Sequence, residues 1–259
     1  MSNQTIGFIG GGRIVRILLE GWKRAGKLPE RIVVSDCNAD VLAKLKAQFP
    51  GIETAPGKAT TAAAQDLVFL AVHPPVMAET TASIKGSIKP EALVVSLAPK
   101  FTIAKLTGLL GGFARVARII PNAPSIVNFG YNPVTFGPAL SSKEKARIAE
   151  LFAPLGEFPE VAEEKLEAYA LLSAMGPTYV WFQLQALREV ASSFGLADAE
   201  IAPALKRMVC GGTRTLVESG LTPAEVMDLI PVKPLVEMEA QVSEMYRTRL
   251  PALYQKIKP

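Results

Sequence analysis

The sequence predicts an α/β fold, a doubly wound and mostly parallel sheet followed by an all-helical C-terminal region. Three observations carry this. Short apolar runs alternate with helix-period stretches through residues 1–162. Several runs are apolar at nearly every position, as strands covered on both faces are. From residue 163 onward the strand signal stops and long helical stretches take over. The expected domains are therefore 1–162 and 163–259.

The elements follow in order. "TIGFIG" from Thr5 is a first strand ending in glycine, and "RIVRILLEGWKRAG" spaces Ile14, Ile17, Leu18 and Trp22 at a helical period. "RIVVSD" (Arg31 to Asp36) is strand-like, and the helix after it has Asn38 as its N-cap. "DLVFLAV" from Asp66 and "ALVVSLA" from Ala92 are near-continuous apolar strands. "TIAKLTGLL" reads as a helix and "ARVARIIPN" as a further strand. Beyond these, Glu164 to Phe194 reads as one long helix and Ala199 to Ser219 as another, stopped by Gly220. A short helix spans Thr222 to Leu229, with Pro223 at its first position. A last helical region runs from Pro234 to Lys256 and breaks near Pro251.

Composition bounds the function. Hydrophobic residues make up 49% of the 259 and charged residues 20%, enough for a sizeable core. The net charge of +4 is mild and Lys and Arg are dispersed, so no nucleic-acid partner is expected. Cys37 and Cys210 form neither a metal spacing nor a disulfide framework. A single histidine, His73, excludes a histidine-rich zinc site, and no metal is expected. No charged-then-apolar leader follows Met1 and Ser2, which points to a cytoplasmic protein. The uncharged stretch Ala168–Leu187 is long enough to span a bilayer, but it contains Ser173, Gly176, Pro177, Thr178, Gln183 and Gln185. It is expected to be a helix buried on most sides by protein, with no membrane partner.

Gly10-Gly11-Gly12 joins the first strand to the first helix, the context a Rossmann-type dinucleotide loop requires. Gly10 makes the tight turn, and Gly12 lets the backbone approach a pyrophosphate at the helix N-terminus. The third glycine position of that pattern is Val15, which asks for slightly wider helix–strand packing. Asp36 lies roughly 20 residues beyond Val15, where a carboxylate accepts from the adenosine ribose hydroxyls and repels a 2′-phosphate. The alternative reading of Asp36 is a turn residue before Asn38.

"GFIGGGRI", "DLVFLAVHPP", "VVSLAPKFTIAKL", "RIIPNAPSIV" and "SAMGPTYVWFQLQAL" occur in the order and spacing of pyrroline-5-carboxylate reductases. The chain resembles that family, within the 6-phosphogluconate dehydrogenase-like Rossmann superfamily, from about Thr5 to Leu229. The resemblance implies reduction of a cyclic imine carboxylate to proline by hydride transfer from NADPH or NADH. It also implies a homodimer interlocked through the C-terminal helices. By the same resemblance Phe8, Ile9, Gly10, Gly11, Gly12, Arg13 and Ile14 form the cofactor loop, and Ser35 meets the adenosine ribose or its phosphate. Ala71, Val72, His73 and Pro74 run beside the cofactor, with His73 in place of the usual lysine. Leu97 and Ala98 lie near the nicotinamide end, and Asn122 fixes a tight loop or touches substrate. Lys58 stands where many members carry asparagine, and a lysine there attracts a 2′-phosphate. Against Asp36, this leaves NAD or NADP open.

The substrate half departs from the family. Its glycine-rich turn falls on "PVKPLVE", where both glycines are absent, Pro234 has no N–H and Glu237 replaces a threonine. Met175 also replaces a serine. Two outcomes follow from these changes, a reductase of a different imine or carbonyl compound, or one that reduces pyrroline-5-carboxylate poorly or not at all. Lys233 offers another carboxylate contact. Ser173, Thr178 and Tyr179, beside Gly176-Pro177, are candidate donors for a developing charge, and Ser173, Thr178 and Glu237 are the residues expected at the catalytic position. The rival classes are a non-catalytic nicotinamide-nucleotide-binding dimer and a deazaflavin-using reductase.

Overall fold

The computed structural model describes residues 4–259, so Met1 and Ser2, used above to exclude a leader, lie outside the described residues. The described residues up to Met175, together with Tyr254–Pro259, form one compact unit, and Gly176–Leu253 forms a second.

In the first unit β1 (Ile6–Ile9), α1 (Arg13–Arg24), β2 (Ile32–Ser35), α2 (Ala39–Gln48) and β3 (Glu53–Thr54) follow in turn. Then come α3 (Ala59–Ala63), β4 (Leu67–Leu70), α4 (Met77–Ile84), β5 (Leu93–Ser96), α5 (Ile103–Leu109) and β6 (Val116–Ile119). The strand order is β3-β2-β1-β4-β5-β6-β8, with β8 (Val134–Phe136) antiparallel to β6 and every other pairing parallel. The small strands β7 (Gly130–Tyr131) and β9 (Gly156–Glu157) pair with each other, on either side of β8 and α6 (Ser142–Phe152). The chain leaves β1 toward β2 and β3, then crosses back to place β4 on the other side of β1. That reversal opens a crevice at the carboxyl ends of β1 and β4.

The near-continuous apolar runs are explained by burial on both faces. All four residues of β1, β2, β4, β5 and β6 are buried. Side chains alternate between two cores, because successive Cβ atoms point to opposite faces. Ile6, Phe8, Leu67 and Phe69 join Val15, Leu18 and Trp22 in one core, and Ile9, Val68 and Leu70 enter the other. Phe8 stacks on Phe69 with centroids 4.8 Å apart, and each such ring contributes about 1.5–3 kcal/mol by leaving water. Val15 is fully buried in the same core and takes up the space the glycine pattern leaves there. Asn38 caps α2, accepting from the N–H groups of Asp40 and Val41.

The expected helix from Glu164 to Phe194 is divided. A 3-10 turn (Glu163–Lys165) leads into α7 (Leu166–Tyr169), a π-helical segment (Ala170–Ala174) follows, and α8 starts at Pro177 (Pro177–Ser193). The reason is Pro177. It has no N–H for the carbonyl four residues earlier, and its ring crowds that carbonyl, so the backbone widens before it.

The second unit contains α8, α9 (Asp198–Glu218), α10 (Pro223–Asp228) and most of α11 (Val236–Ile257). Arg188 pairs with Asp198 across the α8–α9 turn at 2.7 Å, and Tyr179 packs edge-on against Tyr246 of α11. Thr222 and Glu225 form a capping box on α10. Contrary to expectation, α11 runs through Pro251 without ending and gives up one internal hydrogen bond there. The single chain also does not bury α8, where Trp181 is 52% and Phe182 67% exposed. Among the described residues no helix is long and apolar enough to cross a membrane.

Candidate active site

Four strand ends in the first unit are tied together by backbone hydrogen bonds. The Gly10 N–H donates to the Ser35 carbonyl at 2.7 Å, the Ala71 N–H to Ile9 at 2.8 Å and the Leu97 N–H to Leu70 at 3.0 Å. Gly10 has φ +99°, and a Cβ there would lie 2.5 Å from the Ala71 carbonyl oxygen, so only glycine passes this close to β4. Gly12 is different, because a Cβ built on it meets nothing within 4 Å. It heads α1 with no capping side chain and no acidic residue in the first turn. The open space and unclaimed N–H groups fit an anion, and they fit the pyrophosphate of a dinucleotide. Arg13 is exposed and Ile14 half-buried beside it. Phe8, Ile9 and Ser35 are buried strand residues that shape the crevice from beneath.

Asp36 follows the end of β2 beside the glycine loop. Its Oδ2 accepts from the Gly11 N–H at 2.7 Å and its Oδ1 from the Asn38 N–H at 2.8 Å. Its carbonyl takes the Gly57 N–H at 2.9 Å, which brings the turn bearing Lys58 alongside. Asp36 is thus a turn residue, as one reading of the sequence has it, and its carboxylate also holds the glycine loop. Ala71 and Val72 are half-buried, and exposed His73 precedes a 3-10 turn that starts at Pro74. Leu97 and buried Ala98 follow β5.

A buried polar network adjoins these loops. Asn122 Nδ2 donates to the Ser173 carbonyl at 3.1 Å, and Asn122 Oδ1 accepts from the Tyr131 N–H at 3.2 Å. Asn132 Oδ1 accepts from Ser125 Oγ at 2.9 Å and from the Asn122 N–H at 3.2 Å. The Ser173 hydroxyl donates to the Tyr169 carbonyl at 2.9 Å, which leaves its oxygen as an acceptor. Burial, with Tyr169 5.8 Å away ring to ring, pushes the Tyr131 hydroxyl above its ordinary value, so it stays protonated.

Sequence reasoning missed Arg118. This side chain is fully buried on β6, pairs with Glu167 and reaches Glu163 at 3.0 Å. The two carboxylates also accept from the Lys100 N–H at 3.1 Å and the Ile103 N–H at 2.7 Å, which secures the loop carrying Leu97 and Ala98. Lys100 takes a left-handed conformation with φ 76° in that loop. A charge inside the run "ARVARII", with two acids four apart near residue 165, was the available signal. Thr178, Lys233 and Glu237 belong to the second unit. There Thr178 and Glu237 are exposed, and Glu237 stands with Glu239 in the first turn of α11, where the helix dipole favours acids.

Comparison with known proteins agrees with this geometry. Residues 5–100 match the family model described as NADP oxidoreductase, coenzyme F420-dependent. The chain is 30% identical over 228 residues to the pyrroline-5-carboxylate reductase of Escherichia coli (strain K12), covering 88% of this chain and 84% of that one. A solved pyrroline-5-carboxylate reductase from Coxiella burnetii superposes with a TM-score of 0.69 at 27% identity, covering 99% of this chain and 95% of that one. The crystal structure of Plasmodium falciparum pyrroline carboxylate reductase with NADP bound gives a TM-score of 0.75 at 18% identity, with the same coverage, and that likeness is one of fold.

Proposed function

The chain belongs to the pyrroline-5-carboxylate reductase family, and from that membership we propose that it reduces a cyclic imine carboxylate to proline with a nicotinamide cofactor. It is an NAD(P)-dependent oxidoreductase acting on CH–NH groups. The observation that carries the reading in this chain is the uncapped start of α1 beyond Gly12, open to a pyrophosphate at the point where the strand order reverses.

When bound, the reduced nicotinamide supplies the hydride; the protein supplies position and electrostatics. In this proposal Gly10 to Ile14 hold the pyrophosphate, and Ser35, Asp36 and Lys58 frame the adenosine end. Ala71 to Pro74 with Leu97 and Ala98 form the walls toward the nicotinamide. Asn122 fixes the loop after β6 against Ser173, while Ser173, Thr178 and Glu237 are assigned to the substrate side. A cyclic imine takes its proton from water, so the chain needs no strong side-chain acid, in keeping with its single, exposed histidine.

We assign the helical residues after 162 to substrate closure and to a homodimer, a reading supported by the exposed Trp181 and Phe182. A cytoplasmic role in proline biosynthesis belongs to the same proposal. A second reading, reduction of a different imine, is favoured by Glu237 in the α11 first turn, since a carboxylate repels an anionic substrate at close range. The test is incubation of the purified chain with reduced cofactor and either pyrroline-5-carboxylate or an uncharged cyclic imine. Cofactor oxidation with proline as product supports the first reading. Turnover of the uncharged imine alone supports the second.

A further inference from the structure

We propose that Asp36 selects the cofactor, so that the protein takes NADH in preference to NADPH. This rests on the reductase reading above and decides what the sequence left open between Asp36 and Lys58.

The carboxylate of Asp36 is fixed. One oxygen is held by the Gly11 N–H at 2.7 Å and the other by the Asn38 N–H at 2.8 Å. It cannot swing away from the end of β2 without abandoning both. A carboxylate has about four acceptor sites; these two bonds and one from the Cys37 thiol to Oδ1 at 3.7 Å use three of them. The one that remains, on Oδ2, is open to a hydroxyl of an unphosphorylated ribose. The Gly11 bond also couples the carboxylate to the glycine loop, so a dinucleotide seated on the start of α1 brings its adenosine ribose to this residue. A 2′-phosphate adds up to two negative charges where one negative charge already stands.

Lys58 is the opposing cation, and it is held differently. Its turn is anchored through the Gly57 N–H to the Asp36 carbonyl at 2.9 Å. Its ammonium is exposed and makes no ion pair among the described residues. A solvated lysine on a flexible stem is screened by salt and must be ordered before it helps a phosphate. The carboxylate is held in place by two backbone N–H groups while Lys58 is not, so its repulsion decides the preference.

The test is titration of the full chain with NADH and with NADPH, read by nicotinamide fluorescence, for wild type, Asp36→Asn and Lys58→Ala. Asp36→Asn keeps an acceptor oxygen while removing the charge, and thermal melting confirms that it folds. Wild type is expected to bind NADH at least about tenfold more tightly than NADPH. Asp36→Asn is expected to shrink that ratio about tenfold, mainly by tightening NADPH, and Lys58→Ala to leave it within about twofold. NADPH binding as tight as NADH in wild type, or an unchanged ratio in Asp36→Asn, overturns the assignment and leaves the reductase reading standing. Failure of both cofactors to bind overturns the two together.

Discussion

Asn122 Nδ2 donates to the Ser173 carbonyl at 3.1 Å, and Pro177 is the reason that carbonyl is available. A proline four residues on has no N–H to offer it, so the helix opens into the π-helical segment Ala170–Ala174. The loop after β6 then satisfies the freed oxygen with a buried side chain. Asn122→Ala removes this bond and the acceptor for the Tyr131 N–H. It is expected to cost about 1–3 kcal/mol in urea unfolding, because buried groups lose their partners. The fall in kcat/KM is expected to be roughly tenfold or more, because the substrate-side segment loses its register.

Gly10 and Gly12 separate folding from binding. Gly10→Ala forces a Cβ against Ala71 at φ +99° and is expected to destabilise by about 1–3 kcal/mol. Gly12→Ala meets open space, so its melting temperature stays near wild type while its affinity for reduced cofactor falls roughly tenfold. Calorimetry and fluorescence titration on the two variants distinguish these outcomes.

Arg118 and Glu167 act as one unit. Arg118→Met leaves an uncompensated buried carboxylate and is expected to cost about 3–5 kcal/mol, while the double variant with Glu167→Met recovers most of it. Equal and additive losses in a double-mutant cycle would contradict the pairing.

Asp66 makes one part of the stability depend on acid. The hydrogen bond from Lys89 and that from the Thr5 N–H lower its carboxyl from 3.8 to about 2. A group depressed in the folded state stabilises fully above its unfolded value, and that contribution disappears as pH falls through the folded value. Melting temperature is therefore expected to drop from about pH 4 to about pH 2, and the drop to be smaller in Asp66→Asn.

Trp181 and Phe182 carry the assembly prediction. Phe182→Glu is expected to turn a dimer into a monomer at micromolar concentration by light scattering. A wild-type monomer would contradict association through the helices.

The sheet was legible because burial on both faces leaves an unmistakable mark, with β1, β2, β4, β5 and β6 apolar at nearly every position. The glycine loop was legible because only glycine passes β4 at Gly10. The break before α8 was read as a kink inside one helix, since a proline pattern does not say which neighbour takes the freed carbonyl. Arg118 was overlooked because its partners, Glu163 and Glu167, lie more than forty residues away in sequence. The fixed geometry of Asp36 depended on the Gly11 N–H across the strand ends, a tertiary relationship that spacing alone does not contain.

The central claim is hydride transfer from a nicotinamide to an imine carbon. Its most direct test uses NADH deuterated at the transferring position with pyrroline-5-carboxylate, followed by mass analysis of the product. Proline carrying one deuterium at the former imine carbon is the expected product. Deuterium retained on the cofactor, with no labelled proline formed while the cofactor is bound, would contradict it.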